Sequence, residues 1–293
     1  MAGKSYAFMN LKGGVGKTVL AANIAREIVR QRSTTRILMV DLDPQCSLTY
    51  LFDEPATIDA VAKENTALQA LYPKDDDPEA LLQHTKNVYK DNPLLGTPSG
   101  AKIDLIYGSM EIYRIIATSG ANEREYCIQN FNKFMAEARK QYDYVFVDTN
   151  PSTNIATMCA LDACDFIIAP MTMDIFSVRG ILMLKDIFSD RFIWLRDNPA
   201  RIIGIWNMVA SRLRNSDRLS VAERTLQNSN ADIFRTALVN RIYETDYLHY
   251  EGRKRGFLHD RGGIARLDLF NNAKRDLTKV CAELFQRVEL AGA

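Results

Sequence analysis

The chain has 293 residues, 47% of them apolar and 25% charged, and 37 Lys or Arg against 36 Asp or Glu leave a net charge of +1. This length and composition suffice for a full hydrophobic core and exclude disorder as the default state. No run reaches the roughly 18 to 20 apolar residues of a membrane span, and the first five residues pass into a strand pattern without a signal-peptide core, so a cytoplasmic protein is expected.

In chain order, the apolar run 6–9 predicts a strand, the glycine-rich segment KGGVGKT follows at 12–18, and 19–30 predicts a helix. A second strand is expected at 37–40, within the segment ILMVDLDPQ. Residues 53–100 differ in character, with Pro55, Pro73, Pro78, Pro93 and Pro98 and the triplet Asp75, Asp76 and Asp77. They predict surface helices and loops elaborating the main domain, with the triplet as a solvated turn. Further strands are expected at 103–107, 144–147, 166–169, 202–209 and 237–242, and helices at 123–140, 175–196 and 264–289. Most of the apolar runs are continuous rather than alternating, as in parallel strands covered on both faces. The prediction is one α/β domain over residues 1–293, a doubly wound, mostly parallel sheet flanked by helices, with ligand chemistry at the carboxyl ends of its strands.

The segment 12–18 carries the most functional information. Gly13, Gly14 and Gly16 let the backbone curl around an anion, so that amide hydrogens and a helix N-terminus point at phosphate oxygens. Lys17 then reaches the terminal phosphates and Thr18 holds magnesium. The strict phosphate-loop pattern asks for glycine where Leu11 stands, and the loop carries a second lysine, Lys12, instead.

A KGGxGK[ST] loop resembles the deviant Walker A motif of the ParA/MinD family of ATPases, and two further segments fit the same plan: ILMVDLDPQ and, at 142–152, YDYVFVDTNPS. The resemblance implies ATP and Mg2+ as ligands, with Gly13, Gly14, Val15, Gly16, Lys17 and Thr18 around the phosphates. It implies that Lys12 crosses a dimer interface to the partner's nucleotide, where its charge stabilises the transition state in trans as an arginine finger does. Lys12, Lys17 and Asp43 form the implied catalytic set, Asp43 orienting the attacking water. Thr18 binds magnesium directly, and Asp148 and Asp41 hold it through water. The segment WNMVASR resembles the family's adenine-reading strand end, which nominates Asn207, and no NKxD guanine motif is present, so ATP is favoured over GTP. Two departures stand out: Asn150, where the family commonly has proline, puts the turnover rate in question, and Cys46 replaces a common glycine.

Segments later in the chain resemble plasmid and chromosome partition ATPases. That resemblance implies an ATP-bound homodimer on non-specific double-stranded DNA, a ParB-like centromere-bound partner that stimulates hydrolysis, and association with the nucleoid. Residues 201–266 carry 12 Lys or Arg against 7 Asp or Glu. Arg212, Arg214, Arg218, Arg241, Arg253, Lys254 and Arg255 are the candidate DNA backbone contacts. The alternative is a positioning ATPase of the same fold that runs on a membrane or protein track. The stripe Leu277, Val280, Cys281, Leu284 and Val288 is expected to face the protein's own core, and the following ELAGA lacks the lysines and bulky apolar residues of a membrane anchor. Five cysteines without CxxC spacing predict free thiols, with Cys46 partly exposed, and argue against a metal-cluster relative.

Overall fold

A computed structural model describes residues 2–32, 34–53, 65–74, 77, 79–88, 100–118, 120–198, 201–210, 240–243 and 267–291. Seven strands are present among them: β1 (Lys4–Phe8), β2 (Arg36–Asp41), β3 (Lys86–Asn87), β4 (Lys102–Ile106), β5 (Tyr144–Asp148), β6 (Phe166–Met171) and β7 (Ile202–Trp206), in the sheet order β3-β4-β2-β5-β1-β6-β7. The pairs β1/β5, β2/β4, β2/β5 and β6/β7 are parallel, and β3/β4 is antiparallel. This is the doubly wound α/β arrangement that the strand and helix alternation predicts. The chain divides into two compact units, residues 1–8 with 28–165 and residues 9–27 with 166–293.

In the first unit, β2 and β5 are buried along almost their whole length, as their uninterrupted apolar sequences require. Tyr6, Phe8 and Phe146 meet edge to face, with ring centroids 5.5 and 5.2 Å apart. Each such ring contributes about 1.5 to 3 kcal/mol on burial. Helix α1 (Lys17–Gln31), which belongs to the second unit up to Glu27, follows the glycine-rich loop, and α2 (Ser47–Phe52) follows β2. The elaboration contributes α3 (Ala67–Leu71), a 3₁₀ turn at Ala80–His84 and the two-residue edge strand β3. Next come α4 (Ile112–Thr118), α5 (Ala121–Gln141) and α6 (Ile155–Ala163). Cys127, Phe131, Phe134 and Ala138 place the buried stripe of α5 at helical spacing, with Glu123 in its first turn and Arg139 and Lys140 in its last, each suited to the helix dipole.

In the second unit β6 and β7 are fully buried. Helix α7 (Ile175–Phe188) buries Val178, Ile181, Leu184 and Phe188. Two further helices are α8 (Trp194–Asp197) and α9 (Leu267–Ala291). Leu277, Val280, Cys281, Leu284 and Val288 are all buried, so the stripe of α9 faces the protein's own core as its spacing predicts. Thr278 Oγ1 also donates to Glu27 Oε1 at 2.7 Å.

Four expectations change. The helix expected at 175–196 breaks after Phe188, and the turn seats Trp194 under the Arg201 guanidinium, 3.8 Å from the ring centroid. The strand expected at 202–209 ends at Trp206, because Met208 takes φ 55°, which no strand accommodates. Residues 240–242 of the strand expected at 237–242 lie outside any strand, Tyr243 forms a single bridge to Val209, and residues 237–239 lie outside the described set. Cys46 is 4% exposed rather than partly exposed, because Gly108 leaves room above its thiol: a Cβ at 108 would stand 3.0 Å from Cys46 Sγ. All five cysteines are free and buried. No helix among the described residues is long and apolar enough to cross a membrane.

Candidate functional site

The second unit holds the glycine-rich loop. Gly14 and Gly16 take φ of 73° and 82°, the left-handed region that a side chain makes costly. A Cβ on Gly16 would also lie 2.6 Å from Asn207 Nδ2. Asn207, 6% exposed, donates from Nδ2 to Val15 O at 2.9 Å, and its backbone N–H donates to Met171 O at 2.8 Å. The residue nominated for the base is therefore fixed to the end of β6 and props the loop backbone directly.

Both lysines are held by acceptors within the same unit. Lys17, 7% exposed at the first position of α1, donates to Asn10 O at 3.2 Å. Lys12 Nζ lies 2.6 Å from Asp174 Oδ2, with the two side chains 35% and 36% exposed. Asp174 is the N-cap of α7, its Oδ1 accepting from the amides of Phe176 and Ser177 at 3.0 and 3.1 Å, and Thr172 donates to the same Oδ2 that faces Lys12. Partial burial works against the charge of Asp174, yet the hydrogen bonds from Lys12, Thr172 and the Ser177 amide hold its pKa below the ordinary carboxylate value.

Sequence reasoning missed three members of this group. Asn10 lies just before the loop, but its bonds to Pro170 O and Ser177 O form only in the folded chain, as does the approach of Gly180 to Asn10 and the Lys12 amide, and nothing in the local sequence marks either residue. Asp174 carried a signal, an acidic residue immediately before an apolar helical stretch, which is a capping pattern.

The first unit holds the carboxylates. Asp41 and Asp148 end β2 and β5 and stand opposite each other in parallel register, so their side chains leave the same face of the sheet. Both are fully buried. Asp41 Oδ2 accepts from the Thr49 amide at 2.8 Å and the Thr49 hydroxyl at 2.7 Å, and Oδ1 accepts from the Asp43 amide at 3.2 Å. Burial pushes the Asp41 carboxyl up to about 7 despite these bonds. Asp43, 6% exposed, accepts from the Gln45 amide at 2.9 Å and so adopts the turn before Pro44. Thr149 Oγ1 donates to Phe8 O at 2.9 Å, and the Asn150 side chain accepts from Ser152 and Asn154 at 3.1 and 3.0 Å. Asn154 in turn caps α6. Asn150 thus organises the turn after β5.

Of the predicted DNA-contact residues, Arg241 is described and partly exposed; Arg212, Arg214, Arg218, Arg253, Lys254 and Arg255 lie outside the described residues.

A left-handed glycine loop after a buried strand, with a lysine at the first position of the following helix and a second lysine before the glycines, defines a phosphate-loop α/β protein of the deviant Walker A type. The AAA domain family AAA_31 matches residues 3–191. The virulence plasmid ParA family protein pGP5-D of Chlamydia psittaci is 26% identical over 186 residues, 64% of this chain and 63% of that protein. The chromosome-partitioning ATPase Soj of Treponema pallidum is 28% identical over 185 residues, 62% of each. The chain thus spans less than two thirds of the length of these relatives. The structure of pNOB8 ParA bound to nonspecific DNA shares the fold, with a TM-score of 0.64 at 19% identity over 98% of this chain and 99% of that one. The chain belongs to the ParA-type family.

Proposed function

We propose that the protein is an ATP-dependent partition ATPase, which dimerises on ATP, binds DNA without sequence preference in that state and is reset by hydrolysis that a ParB-like partner stimulates. The observation that carries the reading is the loop itself: Gly14 and Gly16 in left-handed conformation, with Lys17 at the first position of α1. A backbone so curled turns successive amides inward and suits a run of phosphates. Lys17 meets the terminal phosphates, Val15 and Asn207 border the nucleotide, and Thr18 takes the magnesium.

Magnesium is a hard cation that is bound through one or two carboxylates, water and substrate phosphates. Thr18, Asp41 and Asp148 are each oxygen donors of the kind that suits this cation, the carboxylates acting through water. Magnesium supplies charge compensation on the phosphates. The protein's own groups do the rest: Lys17 neutralises, Asp43 orients the attacking water, and Lys12 delivers its charge across a dimer interface. Dimerisation and hydrolysis are then one event.

The track is DNA. Support comes from the excess of basic residues over 201–266 and from pNOB8 ParA, a structure of the same fold bound to nonspecific DNA. Joining two such basic faces in a dimer raises affinity through effective concentration. Nucleoid association follows. The test is binding to an arbitrary duplex of about 60 base pairs with ATP, with ADP and without nucleotide, over a salt series. Binding only with ATP, falling steeply with salt, is expected. ATP-dependent dimers that bind no duplex in any state would overturn the DNA track.

A further inference from the structure

Asn10 lies two residues before Lys12 and is 1% exposed. Every polar group of its side chain is engaged within the second unit. Its Nδ2 donates to Pro170 O at 2.8 Å, at the end of β6, and to Ser177 O at 3.0 Å, in the first turn of α7. Its Oδ1 accepts from the Lys12 amide at 2.9 Å. Its backbone oxygen accepts from Lys17 Nζ at 3.2 Å. One residue therefore fixes the main chain of the first lysine and receives the ammonium of the second, while its own carboxamide is fastened to α7.

Helix α7 is shaped for this contact. Gly180 has an ordinary helical backbone, so no left-handed conformation calls for glycine there. What calls for it is space: a Cβ at 180 would stand 2.3 Å from Asn10 Oδ1 and 3.1 Å from the Lys12 amide nitrogen. The Asn10 carboxamide has no slack, since both ends are bonded, and the Lys12 amide is backbone. An alanine at 180 must displace the start of the loop. The same helix carries Asp174, which holds the Lys12 ammonium. Lys12 is thus bound to α7 at its backbone through Asn10 and at its side-chain end through Asp174.

We propose that Asn10 is a positioning residue, which docks the phosphate loop on α7 in the slot left by Gly180 and thereby sets the positions of Lys12 and Lys17. The proposal rests on the reading that these lysines meet nucleotide phosphates, but the docking itself is independent of any ligand. It predicts coupling between residues 170 positions apart in sequence. Removing the Asn10 carboxamide and filling the Gly180 slot disturb one contact, so their effects do not add.

The experiment is a double-mutant cycle on the full chain with Asn10→Ala, Gly180→Ala and the two together. Two readouts are taken: the affinity for a fluorescent ATP analogue with magnesium, and the acetylation rate of Lys17 in the nucleotide-free protein relative to the exposed Lys133, with urea midpoints recorded in parallel. Each single substitution is expected to weaken nucleotide affinity about tenfold, because a displaced loop loses aligned amides and lysine together. Each is also expected to raise Lys17 labelling about fivefold as the lysine leaves its buried acceptor. The double variant should match Asn10→Ala in both, because the severe 2.3 Å approach to Asn10 Oδ1 is gone and the remaining 3.1 Å approach to the Lys12 amide nitrogen is relieved by a small shift of a loop already released. Additive effects, or wild-type labelling and affinity in a folded Gly180→Ala protein, would overturn the docking role. If Asn10→Ala fails to fold, Gly180→Ala alone decides, since it leaves the loop sequence intact. A wild-type protein that binds no ATP analogue while Lys17 labelling follows the expected pattern would sink the nucleotide reading and leave the docking standing.

Discussion

Gly16→Ala offers the sharpest stability test, with Gly14→Ala as its control. Both glycines have positive φ, 82° and 73°, and an alanine in that region costs about 1 to 2 kcal/mol. They differ in surroundings: a Cβ at 14 meets nothing within 4 Å, while a Cβ at 16 stands 2.6 Å from Asn207 Nδ2. Asn207 cannot yield cheaply, because its own N–H is bonded to Met171 O and the next residue, Met208, already holds φ 55°. The side chain must rotate away and abandon its bond to Val15 O, leaving a buried amide unsatisfied at about 1 to 3 kcal/mol. Gly16→Ala should therefore destabilise the nucleotide-free protein by about 2 to 5 kcal/mol in total, and Gly14→Ala by about 1 to 2. Urea unfolding followed by circular dichroism reads both. Equal values for the two variants, within about 0.5 kcal/mol, would refute the claim that Asn207 props the loop.

The remaining predictions concern the first unit. Thr49 donates twice to Asp41 and accepts the Gly108 amide at 2.8 Å, so Thr49→Val should cost about 2 to 3 kcal/mol in urea unfolding, and Thr49→Ser, which keeps the hydroxyl, under about 1. Loss of stability in Thr49→Ser as large as in Thr49→Val would point to methyl packing instead. Burial is the chief cause that raises the Asp41 carboxyl from its ordinary value of about 3.8 to about 7, so the folded state holds this proton more tightly than the unfolded chain. Its contribution to stability is then most favourable below about pH 4, falls as pH rises to about 7 and is flat above, a total of the order of 4 kcal/mol. Asp41→Asn should remove that fall in the nucleotide-free protein, and a variant minus wild-type difference that does not grow between pH 4 and 7 would contradict it.

Much of this fold is legible in the sequence, for identifiable reasons. Strands β2, β5, β6 and β7 are nearly continuous apolar runs because both faces are covered, and runs of that kind stand out in any chain; β1 and β4 show shorter apolar runs, β4 being broken by the buried Asp104. The stripe of α9 is equally plain, since one face meets the core and the other does not. Helix α6 has no such contrast. Ile155, Ala156, Thr157, Cys159, Ala160, Leu161 and Ala163 are all buried, so its sequence shows no periodicity. Strand β3 has two residues and is defined by its antiparallel partner alone. In the site, the loop residues carry their conformational needs locally, as positive-φ glycines do. Asn10, Thr49 and Gly180 do not. Their roles come from partners such as Pro170, Asp41 and the loop itself, and no pattern along the chain encodes those meetings.

The two loop lysines show how a single chain can hold its charges ready without locking them. Lys17 donates to the neutral Asn10 carbonyl in a buried setting. Lys12 faces a carboxylate at 2.6 Å, a stronger partner, but at 35% and 36% exposure water screens the pair. Ion pairs so exposed contribute about 0.2 to 1 kcal/mol, so the population of a paired Lys12 exceeds that of a released one by no more than about fivefold. Under the proposed function, in which Lys12 reaches a second subunit, a holder of this strength suits the task, since a fully buried pair would cost about 3 to 5 kcal/mol to break. Asp174→Asn keeps hydrogen-bonding oxygen at the N-cap of α7 and removes the charge. It should tighten ATP-dependent dimerisation by no more than about fivefold, read by analytical ultracentrifugation over a nucleotide series. A change of a hundredfold would mean that the Lys12–Asp174 pair acts as a lock rather than a rest.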